Sequence, residues 1–293
     1  MKAVDVHVHP PPNPALRPSA VADNADQTRQ MRQYFRRSEP DLETPEQYVE
    51  LYEKHDIVGV LLPSDTRQPG DTESPDPNDW VAEIVRRAPT RWIPFCSVNP
   101  NRGEQAIRDL ERAAGEFDAK GIKLLPTGMN FFANESQYYP LWDRAQELGL
   151  TILTHSGHNG VGSGLPGGGG RKQWYSNPIW WDDVAADFPE LKIILAHPAW
   201  PWVEEQISML VHKANVFMDI SGWSPWYFPQ ELIREMQTRL QNKVLFGSDF
   251  QALHLERWLR DFQDLDISDE VRNKIFLENA RRVLSTVDWS RYE

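Results

Sequence analysis

Apolar and polar positions alternate from Val4 to His9 in Ala3-Val4-Asp5-Val6-His7-Val8-His9-Pro10. That is the period of a β-strand, so Asp5, His7 and His9 are expected on one face and Val4, Val6 and Val8 on the other. Pro10 ends the ladder. Ile57-Val58-Gly59-Val60-Leu61-Leu62 is apolar throughout, the pattern of a strand covered on both faces. Between them, Thr44-Pro45-Glu46-Gln47 opens a helix to about His55, with an N-cap, proline at the first helical position and an acid in the first turn. The exchange then repeats. Helices are expected near 78–88, 103–117, 137–148, 178–187, 201–213 and 229–240, and strands at Trp92–Val98, Ala119–Leu125, Leu150–His155, Leu191–His197, Val216–Ile220 and Lys243–Ser248. From about Leu255 the pattern is helical.

Strict β/α alternation implies a parallel sheet. Eight such units within 293 residues fit one closed (β/α)8 TIM barrel. A doubly wound open sheet is the alternative. No break in composition divides the chain, so one domain is expected over 1–293. The connection from 10 to 43, with five prolines before residue 20, reads as a lid after the first strand. Gly167-Gly168-Gly169-Gly170 marks a mobile or specially bent loop.

In such barrels chemistry gathers at the C-terminal ends of the strands. His7 and His9 end strand one, Lys123 lies on strand four, His155 ends strand five, His197 ends strand six and Asp249 follows strand eight. Two imidazoles on one strand face, about 7 Å apart, can converge on one ion. Each residue alone has a plainer reading. A strand histidine is more often a satisfied core group, and Asp249 suits a helix N-cap. Their coincidence at one level of a barrel favours a metal site.

Composition narrows the setting. Hydrophobic residues make up 40% of the chain and the formal net charge is −12, which argues against nucleic acid and anionic membranes as partners. No apolar run approaches the roughly 18 residues of a membrane span. With one cysteine, Cys96, in a strand and no targeting segment in view, a cytoplasmic protein is the expectation. Several of the twelve tryptophans fall in loops of the expected active face. Trp174, Trp200 and Trp223 suit a flat, conjugated substrate or a subunit interface in a homo-oligomer, whereas Trp180 and Trp181 lie on a helix and read as filler. His158, just past His155, is a candidate substrate contact.

The His-x-His on strand one, His155, Ala196-His197 and Gly247-Ser248-Asp249 together resemble the metal-dependent amidohydrolase superfamily. Gly121-Ile122-Lys123-Leu124, the run Phe188–His197 and Glu278–Leu284 narrow the likeness to the amidohydrolase-related branch that includes aminocarboxymuconate-semialdehyde decarboxylase. The resemblance implies that His7, His9, His155 and Asp249 hold one divalent metal, zinc by expectation with manganese as the alternative. It implies that His197 stands beside the metal and orients or deprotonates its water, and that Asp249 doubles as a proton shuttle. Both are then catalytic. Lys123 is expected behind the ligands, as a cation and not as the bridge of a two-metal site. Arg36 or Arg37, in the loop after strand one, is in about the right place to hold a substrate carboxylate. The activity implied is decarboxylation of a small aromatic or conjugated carboxylic acid. Hydrolysis of an ester, lactone or amide with the same activated water is the alternative, and a metal-free binding barrel is the plain rival.

Overall fold

In the computed structural model, which describes residues 1–13, 29–37 and 41–293, β1 (Ala3–Val8) pairs in parallel with β2 (Ile57–Leu61), and β2 with β3 (Trp92–Pro94). A second parallel run follows in order: β4 (Gly121–Leu124), β5 (Thr151–His155), β6 (Ile193–Ala196), β7 (Val216–Asp219) and β8 (Val244–Leu245). Two parallel bridges, Cys96 with Ile122 and Val8 with Phe250, join the runs into a ring. At one seam Cys96 N–H donates to Gly121 O at 2.9 Å and Lys123 N–H to Cys96 O at 2.7 Å; at the other Val6 N–H reaches Phe246 O at 2.9 Å. Among the described residues this is a closed (β/α)8 barrel in a single domain, not an open sheet.

The helices that follow the eight strands in turn are α1 (Pro45–His55), α2 (Pro77–Arg87), α3 (Glu104–Glu116), α4 (Tyr139–Glu147), α5 (Trp180–Asp187), α6 (Val203–His212), α7 (Gln230–Gln237) and α8 (Leu255–Gln263). Their starts follow local chemistry. Thr44 Oγ1 accepts from Gln47 N–H at 3.3 Å and Gln47 Oε1 from Thr44 N–H at 3.0 Å, a reciprocal cap for α1. Strands three and eight are shorter than their apolar runs. Pro94 offers no donor to the ladder, and Ser248 N–H turns to the Asp5 carboxylate at 2.9 Å.

Strand one departs from simple alternation. Its register against β2 slips between Asp5 and Val8, where three steps on β1 match two on β2. Val4 and Val6 join the cluster of Val58, Val60, Ile93, Leu153, Ile194 and Leu245 inside the ring, whereas Val8 packs with Tyr48 and Tyr52 of α1 outside it. Asp5 also faces outward, accepting from Tyr52 Oη at 2.9 Å. The extra residue lets His7 turn inward beside Val6. Asp5 and His7 therefore do not share one wet face; both are fully buried.

The C-terminal segment closes the N-terminal end of the ring. Ala280, Val283, Leu284, Val287 and Tyr292 complete the inner cluster, and Tyr292 Oη donates to Trp92 O at 3.2 Å. At the other end, residues 29–34 form a helix within the connection expected to be a lid. Residues 14–28 and 38–40 of that connection lie outside the described residues. Gly167, Gly168 and Gly169 each have φ near 60° (60, 61 and 61°), a left-handed bend that glycine adopts without cost.

Candidate metal centre

The strand ends bring their polar side chains to one mouth. His9 Nε2 lies 3.0 Å from Asp249 Oδ1, and His7 Nε2 lies 3.4 Å from the same oxygen. His197 Nε2 lies 3.1 Å from His155 Nδ1. Donor atoms of His7, His197 and Asp249 all fall within 4.8 Å of one another, so they can share one cation. His155 also lines the cavity they face, and its buried Nε2 has no hydrogen-bond partner. An orphaned imidazole nitrogen beside two more imidazoles and a carboxylate is what a divalent metal would satisfy. The residues present fit such an ion, and the cluster supports a divalent metal site.

Electrostatics favour the ligand forms. Burial pushes His7 down to about 3, aided by the nearby Lys123 ammonium, and lowers His197 and His155 as well. The rings are therefore neutral at physiological pH, as metal binding requires. Burial alone would raise Asp249, but the hydrogen bond from His9 and the neighbouring His7 and His197 outweigh it, and the carboxyl is held well below its usual range. His197 and Asp249 are non-glycine residues with φ of 73° and 62°. Both sit where the chain leaves a strand, and such strain collects at functional positions.

Lys123 reaches further in than expected: its Nζ is 2.9 Å from His7 Nε2. Burial lowers it to about 8, so it stays mostly protonated at neutral pH. Two groups escaped the sequence reading. Asp219, the last residue of β7, accepts from His7 Nδ1 at 3.0 Å, and Ser221 Oγ lies 2.8 Å from His197 Nδ1. The strand-end rule that flagged His155 also points to Asp219. Asp5 is a further buried acid, accepting from the Ser248 and His7 amides at 2.9 and 3.1 Å and from the Ser248 and Tyr52 hydroxyls.

The cavity over these groups has a volume of about 280 Å³, with Tyr34, Phe35, Leu125, His158, Asn159 and Trp223 in its walls. That is the low end of the range for small-molecule sites and suits a single substituted ring. His158 and Trp223 thus stand at the cavity. Trp174 and Trp200 do not line it; they are 53% and 54% exposed, although Trp200 packs its ring against His158. Arg36 and Arg37 do not line it either. Arg36 has φ of 49° and borders a neighbouring hollow with Tyr227 and Arg257, and Arg37 pairs with Asp41 and donates to Gln251 at 3.1 Å. The turn after residue 34 carries both guanidiniums past the mouth. Among the described residues, Lys123 is the cavity's one aliphatic or guanidinium cation.

The amidohydrolase family model matches residues 4–286, and the chain belongs to that family. Gamma-resorcylate decarboxylase of Polaromonas sp. is 23% identical over 250 residues, covering 70% of this chain and 74% of that protein. The 2-keto-4-carboxy-3-hexenedioate hydratase of Sphingobium sp. is 25% identical over 251 residues, covering 72% and 71%. A crystal structure of a dihydroxybenzoic acid decarboxylase from Polaromonas sp., with bound manganese and the inhibitor 2-nitroresorcinol, superposes with a TM-score of 0.70 at 18% identity, covering 97% of this chain and 96% of that one. At that identity the likeness shows the barrel. No helix among the described residues is long and apolar enough to cross a membrane.

Proposed function

We propose that this protein is a metal-dependent carboxy-lyase that removes CO2 from a small aromatic or conjugated unsaturated acid. The observation that carries the reading is the cavity itself: about 280 Å³, aromatic at its rim, with the four imidazoles of His7, His9, His155 and His197, an ionised carboxylate and one ammonium lining it. The named activities of the Polaromonas relative and of the manganese-bound structure point the same way. His7, His9, His155 and Asp249 are the proposed ligands, with His197 alongside them. Zinc suits a set of imidazoles and one carboxylate, and manganese is the alternative.

When bound, a divalent cation supplies Lewis-acid charge to the substrate's oxygens. The side chains do the rest. Lys123 Nζ, at the floor, pairs with the substrate carboxylate as a point charge. Tyr34, Phe35 and Trp223 flank a planar ring and keep water from it. Asp249 enters the cycle ionised, takes up a proton from solvent at the cavity mouth and delivers it to the carbon that loses CO2. The C–C bond breaks, its electron pair stays on that carbon, and the delivered proton fills the position. His197 holds the neighbouring proton position.

One observation favours the second reading. No arginine lines the cavity among the described residues, and an uncharged lactone or ester would need none. Water activated at the same site would then open the substrate. The test is to incubate metal-loaded protein with a panel of hydroxybenzoic and conjugated dicarboxylic acids and with matched lactones. CO2 release with loss of the carboxyl supports the lyase; acid release from lactones without CO2 replaces it with the hydrolase.

A further inference from the structure

Hydrogen-bond chemistry fixes where the protons sit on the histidine rings. A carboxylate only accepts and an ammonium only donates. Asp219 Oδ2 is 3.0 Å from His7 Nδ1, so Nδ1 carries the proton. Lys123 Nζ is 2.9 Å from His7 Nε2, which requires a bare Nε2 on the same ring. The two constraints agree.

The second chain starts at the same carboxylate. Ser221 Oγ lies in close contact with Asp219 Oδ1, and the hydroxyl proton must lie between these two oxygens. Ser221 Oγ is then an acceptor toward His197 Nδ1, 2.8 Å away, so His197 also carries its proton on Nδ1. Its Nε2 is bare and faces His155 Nδ1 at 3.1 Å, which must therefore be the donor. That leaves His155 Nε2 bare, the same buried atom that lacks a partner. The backbone amides of His197 and Ser221 also donate to Asp219 Oδ1, at 3.3 and 3.0 Å, so the carboxylate cannot rotate away from this duty.

We propose that Asp219 and Ser221 are positioning residues that lock His7, His197 and His155 as Nδ1–H tautomers, leaving the Nε2 atoms of His7 and His155 bare to bind a cation. The use of those bare nitrogens rests on the metal reading above; the tautomers themselves do not. One carboxylate thus sets three rings, the last of them through a hydroxyl and an intervening imidazole.

The test is long-range proton–nitrogen correlation NMR on metal-free protein labelled with ¹⁵N-histidine, at neutral pH, with rings assigned through single substitutions. Three Nδ1–H patterns are expected. An Nε2–H pattern for His155 or His197 overturns the proposal, and the wild-type spectrum decides this even if a variant does not fold. Ser221→Ala is expected to release His197 and His155 while His7 keeps its form, and Ser221→Thr restores them. In Asp219→Asn the two backbone amides keep the amide oxygen on their side. The new amide N–H then faces His7 Nδ1 and drives that ring to Nε2–H, which pushes the Lys123 ammonium off its 2.9 Å contact with that nitrogen. Mn²⁺ titration by calorimetry supplies the second readout: Ser221 Oγ also lies 2.9 Å from Nδ1 of His7, so Ser221→Ala should weaken uptake about 10- to 100-fold, as losing a partner of a metal-binding imidazole does. Three Nδ1–H rings in a protein that takes up no Mn²⁺ support the tautomer assignment and overturn the metal reading instead; Mn²⁺ uptake of equal strength in wild type and Ser221→Ala overturns the role given to Ser221.

Discussion

Gly222 is a position where one added carbon should disturb the candidate site directly. A Cβ built there would lie 2.4 Å from His197 Nδ1 and 2.8 Å from its Cε1. Ordinary contact needs about 3.4 Å or more, so the ring would have to retreat by roughly 1 Å. That retreat pulls His197 Nδ1 off Ser221 Oγ, now at 2.8 Å, and leaves a buried ring nitrogen unpaired. The loss costs about 1–3 kcal/mol. The backbone adds about 1 kcal/mol, because Gly222 has φ of 72°, which an alanine adopts with strain. Gly222→Ala should therefore destabilise by about 2–4 kcal/mol. Gly70→Ala is the control, since Gly70 has φ of 83° with nothing near its would-be Cβ and should cost only the backbone share. Urea unfolding of both variants at fixed metal content makes the comparison. Equal losses for the two would refute the close approach of Gly222 to the His197 ring.

Further outcomes follow from the same geometry. Stripping the metal by chelation should lower the unfolding free energy by about 3 kcal/mol relative to protein held at one hundred times its dissociation constant; Asp249→Asn should abolish that difference in calorimetry, and an undiminished difference would remove Asp249 from the ligand set. Lys123 is lowered to about 8 by burial, so the folded chain sheds its proton earlier than the unfolded chain does. Between pH 8 and about 10.5 the unfolded state binds more protons, and stability of the metal-free protein should rise with pH by up to about 3 kcal/mol from this group. Lys123→Met should flatten that rise, and a retained slope would assign it elsewhere. Tyr52→Phe removes one donor from the buried Asp5 carboxylate and should cost about 1–2 kcal/mol in urea unfolding; no measurable loss would show that Ser248 alone satisfies that oxygen.

Most of the barrel was legible because each unit repeats a local code: an apolar run for a covered strand, and a capped amphipathic run for its helix. Thr44 caps α1 as the Thr44-Pro45 start announces, and Gln47 completes the cap. The ring of polar strand ends was legible for a similar reason, since His155, His197 and Asp249 interrupt apolar runs at equivalent points. The slip in β1 was not, because a bulge depends on what the neighbouring strand offers and leaves no mark on the alternation of its own residues. Asp219 hides as the last residue of an otherwise ordinary strand, and only its contact with His7 reveals its use. The arginines show the limit from the other side. Arg36 and Arg37 sit at the right distance along the chain, yet the direction of a side chain leaving a loop is set by packing that sequence spacing does not record. The aromatic residues divide likewise: Trp181 is fully enclosed, Trp223 reaches the cavity, and Trp174 stays on the surface.

The seam between Val8 and Phe250 joins residues 242 positions apart. A cation therefore finds no finished cradle until closure of the ring brings His9 and Asp249, 240 positions apart, to one another. Loading must follow closure of the ring, through the same aromatic-rimmed opening that admits the substrate.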